Sequence, residues 1–220
     1  MNFNLNAAKA LLGAAVVAGA VTAISQPASA ISFNTGGVIV PGNGQVSAKS
    51  GVTTLDFDNP SSISFSGGNV VSGSSASQYA APPGDITKYL TIGSFGPGTA
   101  TINLGGLKGY FGLFVGSLDT YNTIQFLKAG VSKAIFGGAD LPPTTPNGNQ
   151  GVGTYYNFFG DSNSDLFDTV KLSSTQAALE VDNIATRTAI PTPALLPGLI
   201  GMGIAAWRKR KGECAEQSEA

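Results

Sequence analysis

From Ile31 to Ile190 the apolar residues come only in short runs, each cut off by Gly, Pro or Asn. Nowhere do they sustain the 3.6-residue period of an amphipathic helix. A chain patterned this way buries its side chains by pairing short strands. The runs are Val52–Phe57, Ser62–Phe65, Tyr89–Ile92, Thr99–Leu104, Tyr110–Val115, Asn122–Leu127, Val131–Phe136, Phe167–Leu172 and Ala178–Ile184. Several alternate with period two, so Leu55 and Phe57, or Ile124 and Phe126, share one face. Lys128-Ala129-Gly130, between two such runs, reads as a hairpin turn with Gly130 at positive φ. The pattern predicts an all-β domain, an antiparallel β-sandwich of jelly-roll-like form. Val71–Asp85 and Leu141–Gly153 are rich in Ser, Gly, Asn and Pro and read as loops that bury little. Loops of that length in a compact domain are usually functional or disordered.

The two ends follow different rules. Residues 1–30 have the three parts of a secretory signal peptide: a polar start with Lys9, an apolar run from Ala10 to about Ile24, and Gln26-Pro27-Ala28-Ser29-Ala30. Ala28 and Ala30 make the small-x-small pattern that signal peptidase accepts, which would start the mature chain at Ile31. The apolar run is shorter than the ~20 residues of a spanning helix. At the far end, Ala194–Trp207 is apolar apart from its glycines and is followed by Arg208-Lys209-Arg210-Lys211. Such a basic cluster stops transfer and stays cytoplasmic, and Trp207 at the junction suits the headgroup layer. The chain therefore divides into a signal peptide (1–30), an exported domain (31–190), a membrane-directed signal (191–211) and an acidic tail (212–220). This is a type I arrangement with an inner-membrane anchor, transient or retained.

Pro191-Thr192-Pro193-Ala194, then the apolar segment Leu195–Trp207, then Arg208 to Lys211, resembles a PEP-CTERM-type sorting signal in its PTPA variant. The resemblance implies that a membrane-embedded exosortase cuts near the proline motif and delivers the body to the cell surface. Signals of that type usually end close to the basic cluster, whereas here Gly212–Ala220 follows, with Glu213, Glu216 and Glu219. Within the body, three stretches are similar to one family of exosortase-dependent surface proteins. They are Gln78–Asp85 with Lys88-Tyr89-Leu90, Tyr110–Asn122, and Phe167-Asp168-Thr169-Val170. The likeness covers most of Phe33–Ala185. It implies a β-sandwich at the cell surface or in the extracellular matrix, with no assigned enzyme activity.

Charge and composition narrow the chemistry. The body carries seven Lys and Arg against ten Asp and Glu, a net charge of minus three. No basic patch with interleaved aromatics appears, so nucleic acid is not an expected partner. The chain has no histidine, which removes Ser-His-Asp and Cys-His catalysis and histidine-ligated zinc. Its single cysteine, Cys214, lies beyond the membrane-directed segment, so the exported body forms no disulfide. The expectation is a protein without catalytic activity, with signal peptidase, exosortase, the membrane and extracellular polysaccharide as its partners.

Two constellations invite a ligand. In Gly116–Asn122, Asp119 and Asn122 flank Tyr121, an arrangement that can hold a sugar with the ring on its apolar face; the same residues also serve as a connecting turn. Asp161-Ser162-Asn163-Ser164-Asp165 has the alternating oxygens that calcium favours, at Asp161, Asn163 and Asp165. It lacks the rest of an EF-hand loop and is equally a polar turn. Tyr155-Tyr156-Asn157-Phe158-Phe159 is read first as core packing and second as a ligand platform. A glycosidase would need two carboxylates across a cleft, from Asp119, Asp168, Glu180 and Asp182. Glu180 and Asp182 share one strand face, which is also the pattern of a solvated face. The glycine pairs Gly67-Gly68, Gly105-Gly106 and Gly137-Gly138 precede no helix and so form no phosphate cradle.

Overall fold

The structure is a computed structural model that describes residues 31–188. The signal peptide, the sorting signal with Pro191 to Lys211, and the tail lie outside those residues. The body opens with β1 (Ile31–Thr35), the hairpin β2 (Val38–Val40) and β3 (Gly44–Val46), and three short strands, β4 (Thr53–Leu55), β5 (Ser64–Ser66) and β6 (Asn69–Ser72). There follow β7 (Lys88–Ile92), β8 (Gly98–Lys108), β9 (Tyr110–Ser117), β10 (Asn122–Lys128) and β11 (Val131–Gly137). After a 3-10 turn at Gly138–Asp140 come β12 (Thr154–Gly160), β13 (Phe167–Ser174) and β14 (Leu179–Arg187).

The domain is all-β. One sheet runs β1-β12-β9-β14-β7-β6, with β4 also pairing β14; the second runs β11-β10-β13-β8-β5. Every ladder between strands is antiparallel. The two sheets pack face to face as a β-sandwich around one core. Phe126 of the second sheet is its hub, with its ring centroid 4.9 Å from Phe158 and 5.7 Å from Phe111 of the first. Edge-to-face and tilted contacts of this kind add to the burial of large rings. The β10–β11 hairpin turns at Ala129 and Gly130, with φ of 49° and 79°. Two positive-φ residues suit the right-handed twist of the flanking strands.

A third layer covers the first sheet. All eight residues of β9 are buried, on both faces. The inward face meets the second sheet. The outward face lies under the β2–β3 hairpin and the chain from Tyr79 to Ile86: Pro82 packs on Gly116, and Gly44 and Gly153 pack on Phe114. Polar atoms stitch the layers together. Tyr89 donates to Gly73 O at 2.6 Å and Tyr155 to Asn183 O at 3.0 Å. Asn157 Nδ2 donates to Gly36 O at 2.9 Å and Asn183 Nδ2 to Asn43 O at 2.7 Å. A buried ring with a polar tip suits such a seam, because a buried phenol needs a partner.

Two expectations change here. Val71–Asp85 does bury residues, with Ala80, Pro82 and Asp85 all buried. Glu180 and Asp182 do share the outward face of β14, but that face is covered, and they are only 2% and 1% exposed. The Tyr155–Phe159 cluster is β12. Tyr156 and Phe158 enter the core, and Tyr155 lies fully buried under the covering layer.

Candidate functional site

At one end of the sandwich, three loops enclose a cavity of about 400 Å³. The β9–β10 connection supplies Asp119 and Tyr121, the turn after β6 supplies Ser74 to Ala80, and the long loop before β12 supplies Asn147, Gly148 and Gln150. Both stretches read as loops in the sequence therefore wall the same cavity. Glu180 and Ser117, paired across β14 and β9, form its floor.

Each wall has a local cause. The Asp119 N–H donates to Asn122 Oδ1 at 2.6 Å, and Asn122 Nδ2 donates to Ser174 Oγ at 3.0 Å. Asn122 is 1% exposed, so it fixes the turn from inside while Asp119 and Tyr121 face the cavity. Tyr121 donates to Ala177 O at 3.0 Å. Burial, then the neighbouring Asp119 carboxylate, push its phenol up to about 12, so it stays neutral. The Gly148 N–H donates to Leu118 O at 2.9 Å, and Asp119 bridges to Asn147, which ties the long loop to the turn. In the third wall, Ser75 Oγ donates to Gln78 Oε1 at 2.8 Å and the Ala81 N–H to Ser74 Oγ at 2.9 Å.

The cavity's chemistry is hydroxyl, amide and aromatic. Tyr79 and Tyr121 present two rings, and among the described residues Asp119 and Glu180 are the charged ones that line it. Burial raises the Glu180 carboxyl above its ordinary range, against the hydrogen bonds it accepts. Those bonds occupy both oxygens: Oε1 takes the Ala80 N–H at 3.1 Å and Oε2 takes Ser117 Oγ at 2.6 Å. Glu180 thus braces the floor by tying the covering layer to β9. Of the carboxylates considered for hydrolysis, Asp119 and Glu180 meet here. Asp168 instead accepts the Ala129 N–H at 2.7 Å at the far end of the sandwich, and Asp182 lies further along β14.

The Asp161–Asp165 loop sits at the far end as well. Asp161 accepts from Ser32 Oγ at 3.2 Å, and the Asn163 carbonyl accepts from Lys128 Nζ at 2.7 Å. Asp165 is 7% exposed and accepts from Ser162 Oγ at 2.5 Å and Ser164 Oγ at 3.2 Å. Within the loop the serine hydroxyls bond Asp165, while Asp161 and the Asn163 carbonyl are held by Ser32 and Lys128. Among the described residues no group of three or more acidic, His or Cys side chains comes together to hold a metal. Sequence reasoning passed over Tyr79 as a ligand residue. Its ring meets Tyr89 edge to face at 6.5 Å, and nothing in the local spacing marks it out.

No protein-family model matches the chain, and no curated protein matches it significantly. Among solved structures, a chain described as CpGH89CBM32-6 produced by Clostridium perfringens is similar, with a TM-score of 0.34 and 12% identity. The match covers 61% of this chain and 100% of that one. A likeness that slight carries no argument about ligand or mechanism.

Proposed function

We propose that this is an exported, exosortase-sorted surface or matrix protein whose sandwich acts as a non-catalytic binding module for extracellular carbohydrate. The observation that carries the ligand class is the cavity: two tyrosine rings among serines and amides, with no cation lining it. Rings offer a face for the apolar side of a pyranose, and the surrounding donors and acceptors suit its hydroxyls. With two acidic side chains and no Lys or Arg among its described lining residues, the cavity disfavours phosphates and uronates. The order of the main strands, β12-β9-β14-β7 against β11-β10-β13-β8, is two interleaved Greek keys, a jelly roll. The bounds of the fold suit the sorting reading too. β14 closes at Arg187, just ahead of Pro191.

Two measurements test the reading. Glycan-array binding by the full chain should yield neutral saccharide ligands, and Tyr79→Ala and Tyr121→Ala should each weaken binding by about tenfold or more, on the scale of one lost stacking contact. Silence across the array would overturn the ligand class. The mass of the mature protein recovered from the cell surface should correspond to Ile31 through a residue near Pro193. A chain retaining Trp207 and Arg208–Lys211 would make it simply membrane-anchored.

A second reading, hydrolysis, draws on Asp119 and Glu180 sharing the cavity. It would require the bound sugar to be cleaved by the wild type and left intact by Asp119→Asn.

A further inference from the structure

A saccharide chain can meet a binding site along its length or only at its end, and the shape of the site decides which. A cleft that holds the interior of a chain needs an exit on each side. A cavity stopped on both sides admits a terminal unit alone. Here the strand order sets the exits. β9 lies between β12 and β14 in the first sheet, and its last residue, Ser117, pairs with Glu180 of β14 in the floor. The turn after β9 raises Asp119 and Tyr121 beside the cavity. The serine-rich turn Ser74–Ala80 lines it from the covering layer, with the Ala80 N–H held by Glu180 Oε1 at 3.1 Å. A chain passing between these two turns would have to leave toward β12 or toward β14.

Both directions are stopped. On the β12 side, the loop leading into that strand comes back against the β9–β10 turn. The Gly148 N–H donates to Leu118 O at 2.9 Å, Asn147 bridges to Asp119, and Gln150 lines the cavity from the same loop. The approach is close: a Cβ on Gly148 would lie 2.9 Å from both carboxylate oxygens of Asp119. On the β14 side, Ala177 and Ala178 lead into that strand and line the cavity. Tyr121 donates to Ala177 O at 3.0 Å, and the Thr175 N–H donates to Tyr121 O at 3.4 Å. Each stopper is thus bonded to the turn it flanks. The volume agrees, since about 400 Å³ is near the lower end of the roughly 300–1,000 Å³ of small-molecule sites. That is space for a sugar unit or two, not for a run of them.

We propose, building on the carbohydrate reading of this cavity, that it takes the terminal unit of a neutral glycan while the chain behind that unit points away into solvent. The target class is then chain ends and short branches rather than the repeating interior of a linear polysaccharide.

The test is calorimetric titration of the purified full chain with glucose, galactose, mannose and N-acetylglucosamine, and with their linear oligomers of two to six units. In the series that binds, affinity should reach its full value by the dimer and stay within about twofold from there to the hexamer, because further units touch nothing. As a second measurement, a long polymer of the same sugar should compete better after partial acid hydrolysis, at equal mass, in proportion to the chain ends released. Affinity climbing about threefold or more with each unit through the hexamer would overturn the terminal pocket and leave a carbohydrate-binding cleft in its place. Equal competition before and after hydrolysis would do the same. No binding in any series would overturn the carbohydrate reading itself, and the terminal pocket with it.

Discussion

Asn122 and Asp182 show two ways in which a buried polar side chain acts on this fold. Asn122 has a partner for its oxygen and for its amide, one on its own turn and one on β13. Asn122→Ala would leave the Asp119 N–H and Ser174 short of partners, at a cost of about 1–3 kcal/mol. Urea unfolding should show that loss, and sugar binding should weaken with it because Asp119 and Tyr121 lose their bearing. Asp182 lies on the covered face of β14, 1% exposed, and its pH dependence has a definite sign. Burial and the charges of Asp85 and Asp56 raise its carboxyl from 3.8 to about 9. Between those values the folded state keeps a proton that the unfolded chain has released. Stability should therefore be greatest at the acid side of the window and fall as pH rises through it. The urea midpoint of the wild type should drop from pH 5 to pH 9, and Asp182→Asn should flatten that drop. An equal slope in both proteins would mean that other groups carry it.

The elements of the sandwich were legible in the sequence where burial is one-sided, and harder to read where it is not. Ile124 and Phe126 alternate with Thr123 and Gln125, and β10 is where the pattern puts it. β12 escaped because Tyr155, Tyr156, Asn157, Phe158 and Phe159 show no apolar–polar period, a consequence of apolar layers on both sides. The covering layer was invisible for a related reason: Gln78–Asp85 holds few large side chains and buries them against another element's glycines. Of the site, the turn at Asp119–Asn122 could be read, but the distribution of roles could not. Nothing in the spacing says that Asn122 turns inward or that Tyr79 joins Tyr121 from a distant loop. Gly116 gives the layer an element-scale test. A Cβ there would lie 2.9 Å from Pro82 Cα and 3.0 Å from its Cβ, so Gly116→Ala must lift the covering segment. The overpacking cost is about 1–3 kcal/mol. Hydrogen exchange should show amides around Ala80–Asp85 losing protection while β10 and β13 keep theirs. Uniform loss across the domain would instead make the layer and the sandwich one cooperative unit.

At the scale of the molecule, the end where the first and last strands meet and the cavity are opposite. Ile31 pairs with Gly160, the Gly160 N–H donates to Gly109 O, and the Gly109 N–H donates to Arg187 O, so the body's first and last strands meet at one end. Glu180 pairs with Ser117 at the other end, beneath the cavity. Seven strand steps from Glu180 to Arg187, at ~3.3 Å each, separate the two by about 23 Å. In the sorting reading the chain enters the membrane-directed segment soon after Arg187. That short leash would hold the Asp161–Asp165 loop near the lipid surface and turn the cavity outward, toward the proposed polysaccharide. The prediction can be checked in the unprocessed full chain reconstituted in vesicles, with Cys214→Ser and a single label at Asn163→Cys or Gln150→Cys. A headgroup quencher should dim the label at position 163 strongly and the label at 150 little, since the separation exceeds the reach of contact quenching. Stronger quenching at 150 would turn the cavity toward the bilayer. The ligand would then have to be a lipid-borne headgroup sugar rather than a matrix glycan, and equal quenching would mean that the leash sets no orientation at all.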